Sequence, residues 1–121
     1  MKKIFYLKTC DTCKRIMKSF SLEGFELQEI KSNPIEVSQL EDLKAISGSY
    51  ASLFSKRAKK YKAMGLKDQI LNEDDYKLFI LSDYTFLKRP VIIVGKEIFI
   101  GSDKKNLERL SEFLNQKKSV S

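Results

Sequence analysis

The feature that most constrains the fold is a pair of cysteines between a strand pattern and a helix pattern near the start of the chain. Residues 4–7 are apolar and β-prone, which predicts a short buried strand. Cys10 and Cys13 follow, and Cys13 opens a series of apolar residues at helical spacing. That spacing predicts a helix that begins near Asp11 and ends before Gly24. The cysteine pair therefore lies where a strand passes into a helix.

A second strand completes the opening unit. Residues 25–30 alternate apolar and polar side chains, which is typical of a strand with one buried face. A strand, a helix and a strand within thirty residues predict a parallel pair joined by a right-handed crossover.

The remaining patterns predict an α/β protein with a central mixed sheet of about four strands. Three helices come first: one over 37–46 that stops at 47–48, one that runs through a basic stretch and ends at 65, and one that begins at 72–75. A β-hairpin within 87–101 follows. The last helix is capped at 102 or 103. We expect a single domain over residues 1–116 and a frayed tail over 117–121.

Composition excludes several classes of function. The chain has 23 Lys and Arg against 16 Asp and Glu, a net charge of +7 that favours anionic partners. It contains no His, which excludes Cys–His and Ser–His catalysis and His-containing zinc sites.

No apolar stretch is long enough to cross a membrane, and the N-terminus lacks a signal-peptide pattern. We therefore expect a cytoplasmic protein that does not contact membranes.

The cysteine spacing indicates redox chemistry. Cys10 precedes the helix, where free N–H groups and the helix dipole stabilise a thiolate, whereas Cys13 lies one turn inside. This asymmetry suits an exposed attacking thiol and a sheltered resolving thiol. Two ordinary buried cysteines, or half of a zinc site, are the alternatives. A zinc site needs four ligands, which the chain cannot complete, so we predict no metal site.

Two basic features can bind anions. Arg89 precedes Pro90 at the expected start of a strand, where its guanidinium could meet an anion, although a surface arginine is the plainer interpretation. Residues 56–62 contain five basic side chains. A solvated helix surface explains such a run, and no aromatic platform or known motif favours the alternative of direct nucleic-acid binding.

Several short motifs, in order, resemble the family of ArsC-type arsenate reductases and Spx-like proteins. They are Tyr-Leu-Lys-Thr-Cys-Asp-Thr-Cys-Lys at 6–14, Phe-Ser-Lys-Arg at 54–57, Lys-Arg-Pro-Val-Ile-Ile at 88–93 and Phe-Ile-Gly at 99–101. The resemblance extends over nearly the whole chain, and it implies a thioredoxin-like fold.

The resemblance also implies roles for individual residues. In the reductases, a cysteine at the position of Cys10 attacks arsenate, and arginines matching Arg57 and Arg89 hold the oxyanion. Pro90 matches a cis proline beside the active cysteine. Glutathione and glutaredoxin then complete the reduction. In the Spx-like branch, the cysteine pair is a redox switch, and the protein binds the α subunit of RNA polymerase.

The chain differs from the resistance-type reductases at two points. Cys13 is additional, and residues 99–102 lack the arginine that follows the last strand of those enzymes. Our leading hypothesis is an arsenate reductase-like thiol–disulfide oxidoreductase that uses Cys10 and Cys13 on an oxyanion or a glutathione-linked substrate. Thr12 would donate a hydroxyl, no cofactor would be tightly bound, and glutathione, glutaredoxin or thioredoxin would donate electrons. The alternative is an Spx-like redox-sensing regulator.

Overall fold

The computed structural model describes the backbone of residues 1–120 and the side chains of residues 1–115. The strands are β1 (Lys2–Tyr6), β2 (Glu26–Glu29), β3 (Val91–Val94) and β4 (Glu97–Ile100), and the helices are α1 (Asp11–Lys18), α2 (Val37–Ser47), α3 (Lys59–Ala63), α4 (Glu73–Ser82) and α5 (Lys104–Val120). The predicted order of elements is confirmed. Over the part of the chain described, no helix is both long and apolar enough to cross a membrane.

The four strands form one mixed sheet in the order β2-β1-β3-β4. Strand β3 is antiparallel to both β1 and β4, with Ile92 opposite Ile4 on one side and Phe99 on the other. This arrangement confirms the predicted mixed sheet, and it leaves β4 at one edge.

The chain forms two compact units. The first contains residues 1–27 and the chain from 89 onward, and the second contains residues 28–88. The single domain predicted over 1–116 stays a prediction. So does the tail over 117–121, because the side chains of these residues and the backbone of Ser121 lie outside the described part of the chain.

In the first unit, α1 and α5 contribute to one apolar core together with β1, β3 and β4. Its buried members are Ile4, Ile16, Met17, Ile92, Val94, Phe99 and Leu110. Burial of each such side chain contributes about 1.5–3 kcal/mol. Ile16 and Met17 come from α1, so this packing fixes the helix whose first turn carries the cysteines.

The β-hairpin is confirmed, with Gly95 and Lys96 as its loop. Gly95 has a φ of 64°, and no residue other than glycine has a positive φ in the described chain. A positive φ at the first loop position alone is the pattern of a type II′ turn, which matches the twist of the two strands.

In the second unit, Phe54 lies at the centre of a group of aromatic rings. The ring of Phe54 stacks on Phe86 with centroids 5.2 Å apart, and Tyr76 lies at 4.8 Å. The backbone around Phe54 is extended and pairs with the chain near Leu87, with Ser55 N–H donating to Phe86 O at 2.7 Å.

This pairing explains why the helix through the basic run is shorter than predicted. The prediction placed residues 56–62 on a helix, whereas α3 begins only at Lys59 and ends at Ala63. Ser55 N–H is already committed to Phe86, so the chain leaves the extended pairing through a turn that includes Arg57 before it can become helical. The prediction that the helix stops at Gly65 holds to within two residues.

In β2, Gln28 is the buried side chain, whereas the alternation predicted burial of its apolar neighbour Leu27. Gln28 is only 5% exposed, whereas Leu27 is 43% exposed. The Gln28 amide is fully used, because its Nε2 donates to Asn33 O and Gln39 Oε1, and its Oε1 accepts from Gln39 Nε2 at 2.7 Å. Because the buried amide of Gln28 has these partners, its burial carries little desolvation penalty. The polarity of the residues in β2 therefore did not show which of them is buried.

We expect Gln28→Leu to destabilise the protein more than Leu27→Gln does. The first substitution removes the acceptor of Gln39 Nε2 and the donor to Asn33 O from a buried position, at a cost of about 1–3 kcal/mol. The second changes an exposed position and should cost under about 0.5 kcal/mol. Urea unfolding followed by circular dichroism measures both, and equal losses for the two variants would contradict the assignment of the buried face.

Candidate active site

Cys10 lies between β1 and α1, at the N-cap position of the helix. Its backbone is extended (φ −89°, ψ 112°), its N–H donates to Leu7 O at 3.1 Å, and its carbonyl accepts from Lys14 N–H at 3.1 Å. The N–H groups of the first helical turn have no partners within the helix, and an N-cap side chain lies beside them. Cys10 is partly exposed, so a substrate can approach it.

The surroundings of Cys10 favour the thiolate. Burial acts to raise the pKa of this thiol. The N–H and thiol of Cys13, the guanidinium of Arg89 and the N–H of Thr12 act in the opposite direction and hold the pKa below its ordinary value. The side chain of Cys10 does not cap the helix with a hydrogen bond, so the N–H groups of Thr12 and Cys13 stabilise its thiolate electrostatically.

Cys13 is the chemical opposite of Cys10. Its side chain is 0% exposed, and burial raises the pKa of its thiol to about 12, with the negative charge of Cys10 acting in the same direction. Both cysteines are free thiols. The Cys13 S–H therefore stays protonated and donates to the sulfur of Cys10.

Arg89 and Pro90 lie immediately before β3, and the bond between them is cis. Pro90 O accepts from Gly101 N–H at 2.9 Å, which fixes this segment to the end of β4. The Nε of Arg89 is shielded from solvent, and the charge of the guanidinium lowers the pKa of both cysteines. The structure thus brings Arg89 to the cysteine pair.

The two other residues predicted for the site, Thr12 and Arg57, belong to different parts of the chain. Thr12 is the second residue of α1, and its N–H is among the groups that act on Cys10. Arg57 belongs to the second unit, where it is exposed in the turn before α3. Its predicted role toward an oxyanion stays a prediction. Lys14 and Arg15 are exposed on α1.

Leu7 contributes to the site through its backbone, which the sequence interpretation missed. The N–H of Leu7 interacts with the sulfur of Cys13 and lowers its pKa, in part opposing the effect of burial. A backbone contribution leaves no mark on residue type. Only the position of Leu7 at the end of the first predicted strand could have suggested it.

The sequence and the fold match known proteins. The model of the ArsC family matches residues 5–110, which include both cysteines, Arg57, Arg89 and the hairpin. No curated protein matches the chain.

Solved structures agree in fold. The chain is 25% identical to a possible arsenate reductase from Streptococcus mutans UA159 (92% of this chain and 98% of that one, TM-score 0.71). It is 26% identical to a Staphylococcus aureus COL protein solved by NMR (90% and 97%, TM-score 0.72). An arsenate reductase from Vibrio cholerae is 15% identical (92% and 95%, TM-score 0.72), and that likeness concerns the fold alone.

These matches extend over both units of the chain and include the region of the cysteine pair. The predicted thioredoxin-like fold is confirmed. By the match of residues 5–110 to its model, the chain belongs to the ArsC family.

Proposed function

We propose that the protein is an arsenate reductase-like thiol–disulfide oxidoreductase in which Cys10 attacks the substrate and Cys13 resolves the adduct. The observation that carries the proposal is the contrast between the two thiols. Cys10 is reachable and has a lowered pKa, whereas Cys13 is buried with a pKa of about 12. A thiolate is the attacking species in thiol chemistry, so only Cys10 is ready to react with a substrate from solution.

The substrate carries negative charge in this proposal. The amino end of α1 offers N–H groups, and Arg89 adds a guanidinium beside them, a combination that suits an oxyanion or the carboxylates of glutathione. Thr12 would donate its hydroxyl, and Arg57 would add a second guanidinium. Pro90 would present its backbone beside the reacting sulfur.

For arsenate, the first step forms a bond between the sulfur of Cys10 and arsenic. One arsenate oxygen takes up two protons and leaves as water. No electrons have yet moved to arsenic, and the adduct is a thiol ester of arsenate. The negative charge of Cys10 is lost in this step, which removes one of the effects that keep Cys13 protonated.

The second step forms the disulfide. The sulfur of Cys13 attacks that of Cys10, and its proton passes to an oxygen of the leaving oxyanion. The electron pair of the sulfur–arsenic bond stays with arsenic, so arsenic is reduced from the +5 to the +3 state as the two cysteines are oxidised. Glutathione, or a dithiol protein such as glutaredoxin or thioredoxin, then reduces the disulfide. No tightly bound cofactor is needed.

A mixed disulfide of glutathione would follow the same route. Cys10 would take the glutathionyl group and release the other thiol, and Cys13 would then release glutathione and close the disulfide. In both routes Cys13 makes the disulfide that releases the product an internal one, so release does not wait for an external thiol.

Turnover separates this proposal from a redox-sensing regulator that binds the α subunit of RNA polymerase. We expect steady-state reduction of arsenate or of a glutathione mixed disulfide, measured by NADPH consumption in a coupled assay with glutathione, glutathione reductase and glutaredoxin. Cys10→Ser should lower turnover by at least about a thousandfold. No turnover of either substrate, together with capture of the polymerase subunit by the oxidised protein, would favour the regulator.

The pKa of Cys10 should rise when Arg89 is replaced by Gln, because the positive charge that stabilises the thiolate is removed. The rate of thiol alkylation should then reach half of its maximum at higher pH than in the native protein. Thiolate absorbance at 240 nm measures the same titration. Arg15→Gln, which removes an exposed charge from α1, is the matched control and should shift the titration less. A titration of Cys10 that Arg89→Gln leaves unchanged would contradict the site.

Cys13→Ser should trap the adduct at Cys10. Attack by Cys10 is retained, but no internal thiol can release the product, so incubation with oxidised glutathione should yield a stable one-to-one mixed disulfide. Mass spectrometry of the intact protein detects it, and the native protein should instead show the internal disulfide, two mass units lighter than the dithiol. A native protein that also accumulates the mixed disulfide would show that Cys13 does not resolve it.

A further inference from the structure

Strand β4 is an edge strand whose outward backbone groups can be assigned from the hairpin. The two-residue loop makes Val94 and Glu97 a hydrogen-bonded pair, so Ile93 and Ile98, the next pair, are not hydrogen-bonded to each other. Hydrogen-bonded and non-hydrogen-bonded pairs continue to alternate along β3 and β4. This alternation makes Pro90 and Gly101 a hydrogen-bonded pair, and Gly101 N–H does donate to Pro90 O. The N–H and carbonyl groups of Ile98 and Ile100 therefore point away from β3.

Arg109 of α5 reaches across to this edge. Its Nη2 donates to the carbonyl of Ile98, its Nη1 lies 3.5 Å from Glu97 Oε2, and its guanidinium carbon lies 4.3 Å from the centre of the Phe99 ring. Carbonyl, carboxylate and ring together hold the guanidinium in one place, although about half of the side chain is exposed.

An edge strand with accessible N–H and carbonyl groups is a template for another strand, and proteins commonly block such edges. We propose that Arg109 keeps the β4 edge closed to a second copy of this chain. The guanidinium occupies the carbonyl of Ile98 and places a charged group at the edge that an added strand would have to approach. The blocked edge is separate from the cysteine site and does not depend on the proposed reductase function.

A second copy fits this edge because the exposed groups are self-complementary. Antiparallel pairing of two β4 strands about a two-fold axis at Phe99 sets Ile98 of each copy opposite Ile100 of the other. All outward N–H and carbonyl groups of both residues are then paired, and β-branched side chains meet across the strands. The two four-stranded sheets would become one continuous sheet.

The test replaces Arg109 by Met, which keeps an apolar stem over Phe99 and removes the guanidinium. Arg109→Met should self-associate at least about tenfold more tightly than the native protein, measured by sedimentation equilibrium. Lys105→Met is the matched control, since it removes one exposed positive charge from the same helix and should not change self-association. Arg109→Gln provides a second variant without the guanidinium, should the Met variant fail to give the native circular dichroism spectrum.

Two further measurements test whether the variant associates through the β4 edge. The amide hydrogens of Ile98 and Ile100 should exchange quickly in the native protein and become protected in the associated Arg109→Met variant. Adding Ile98→Pro, which removes an outward N–H, should restore the monomer. Folded Arg109 variants that stay as weakly associated as the native protein would overturn the proposal, and so would association that persists with Ile98→Pro.

Discussion

The arrangement of the site depends on the direction of one short helix. The free N–H groups at the amino end of α1 lie beside Cys10, the residue immediately before the helix. The helix is held in place by Ile16 and Met17, which belong to the core beneath the sheet. Apolar burial on one face of α1 therefore fixes an electrostatic field at its end, and the same eight residues serve stability and reactivity.

The single-turn separation of the two cysteines places them in opposite environments. Cys10 is at the end of the helix, where a charge is stabilised, and Cys13 is one turn further along, on the face that is buried against the core. The difference between their thiols follows from this geometry, and Arg89 acts on both. A substitution that rotated α1 by a fraction of a turn would alter both environments together.

Local patterns in the sequence predicted much of this, whereas long-range pairing was beyond them. The hairpin around Gly95 and the position of Cys10 before a helix follow from turn residues and apolar spacing, which act over a few residues. The late start of α3 depends on the hydrogen bond between Ser55 and Phe86, which are thirty-one residues apart along the chain. The burial of Gln28 depends on its hydrogen bonds with Gln39. The proximity of Arg89 to the cysteines was expected only from the family resemblance, because no local pattern connects residues so far apart along the chain.

The complete burial of Cys13 has a consequence for the lifetime of the protein under oxidative stress. A peroxide that reaches Cys10 converts its thiolate to a sulfenic acid, and further oxidation to the sulfinic acid cannot be reversed by ordinary thiols. Cys13 is shielded from the peroxide yet adjacent to the modified sulfur. We expect the two to condense into a disulfide with loss of water, which leaves the protein in a state that cellular reductants can repair.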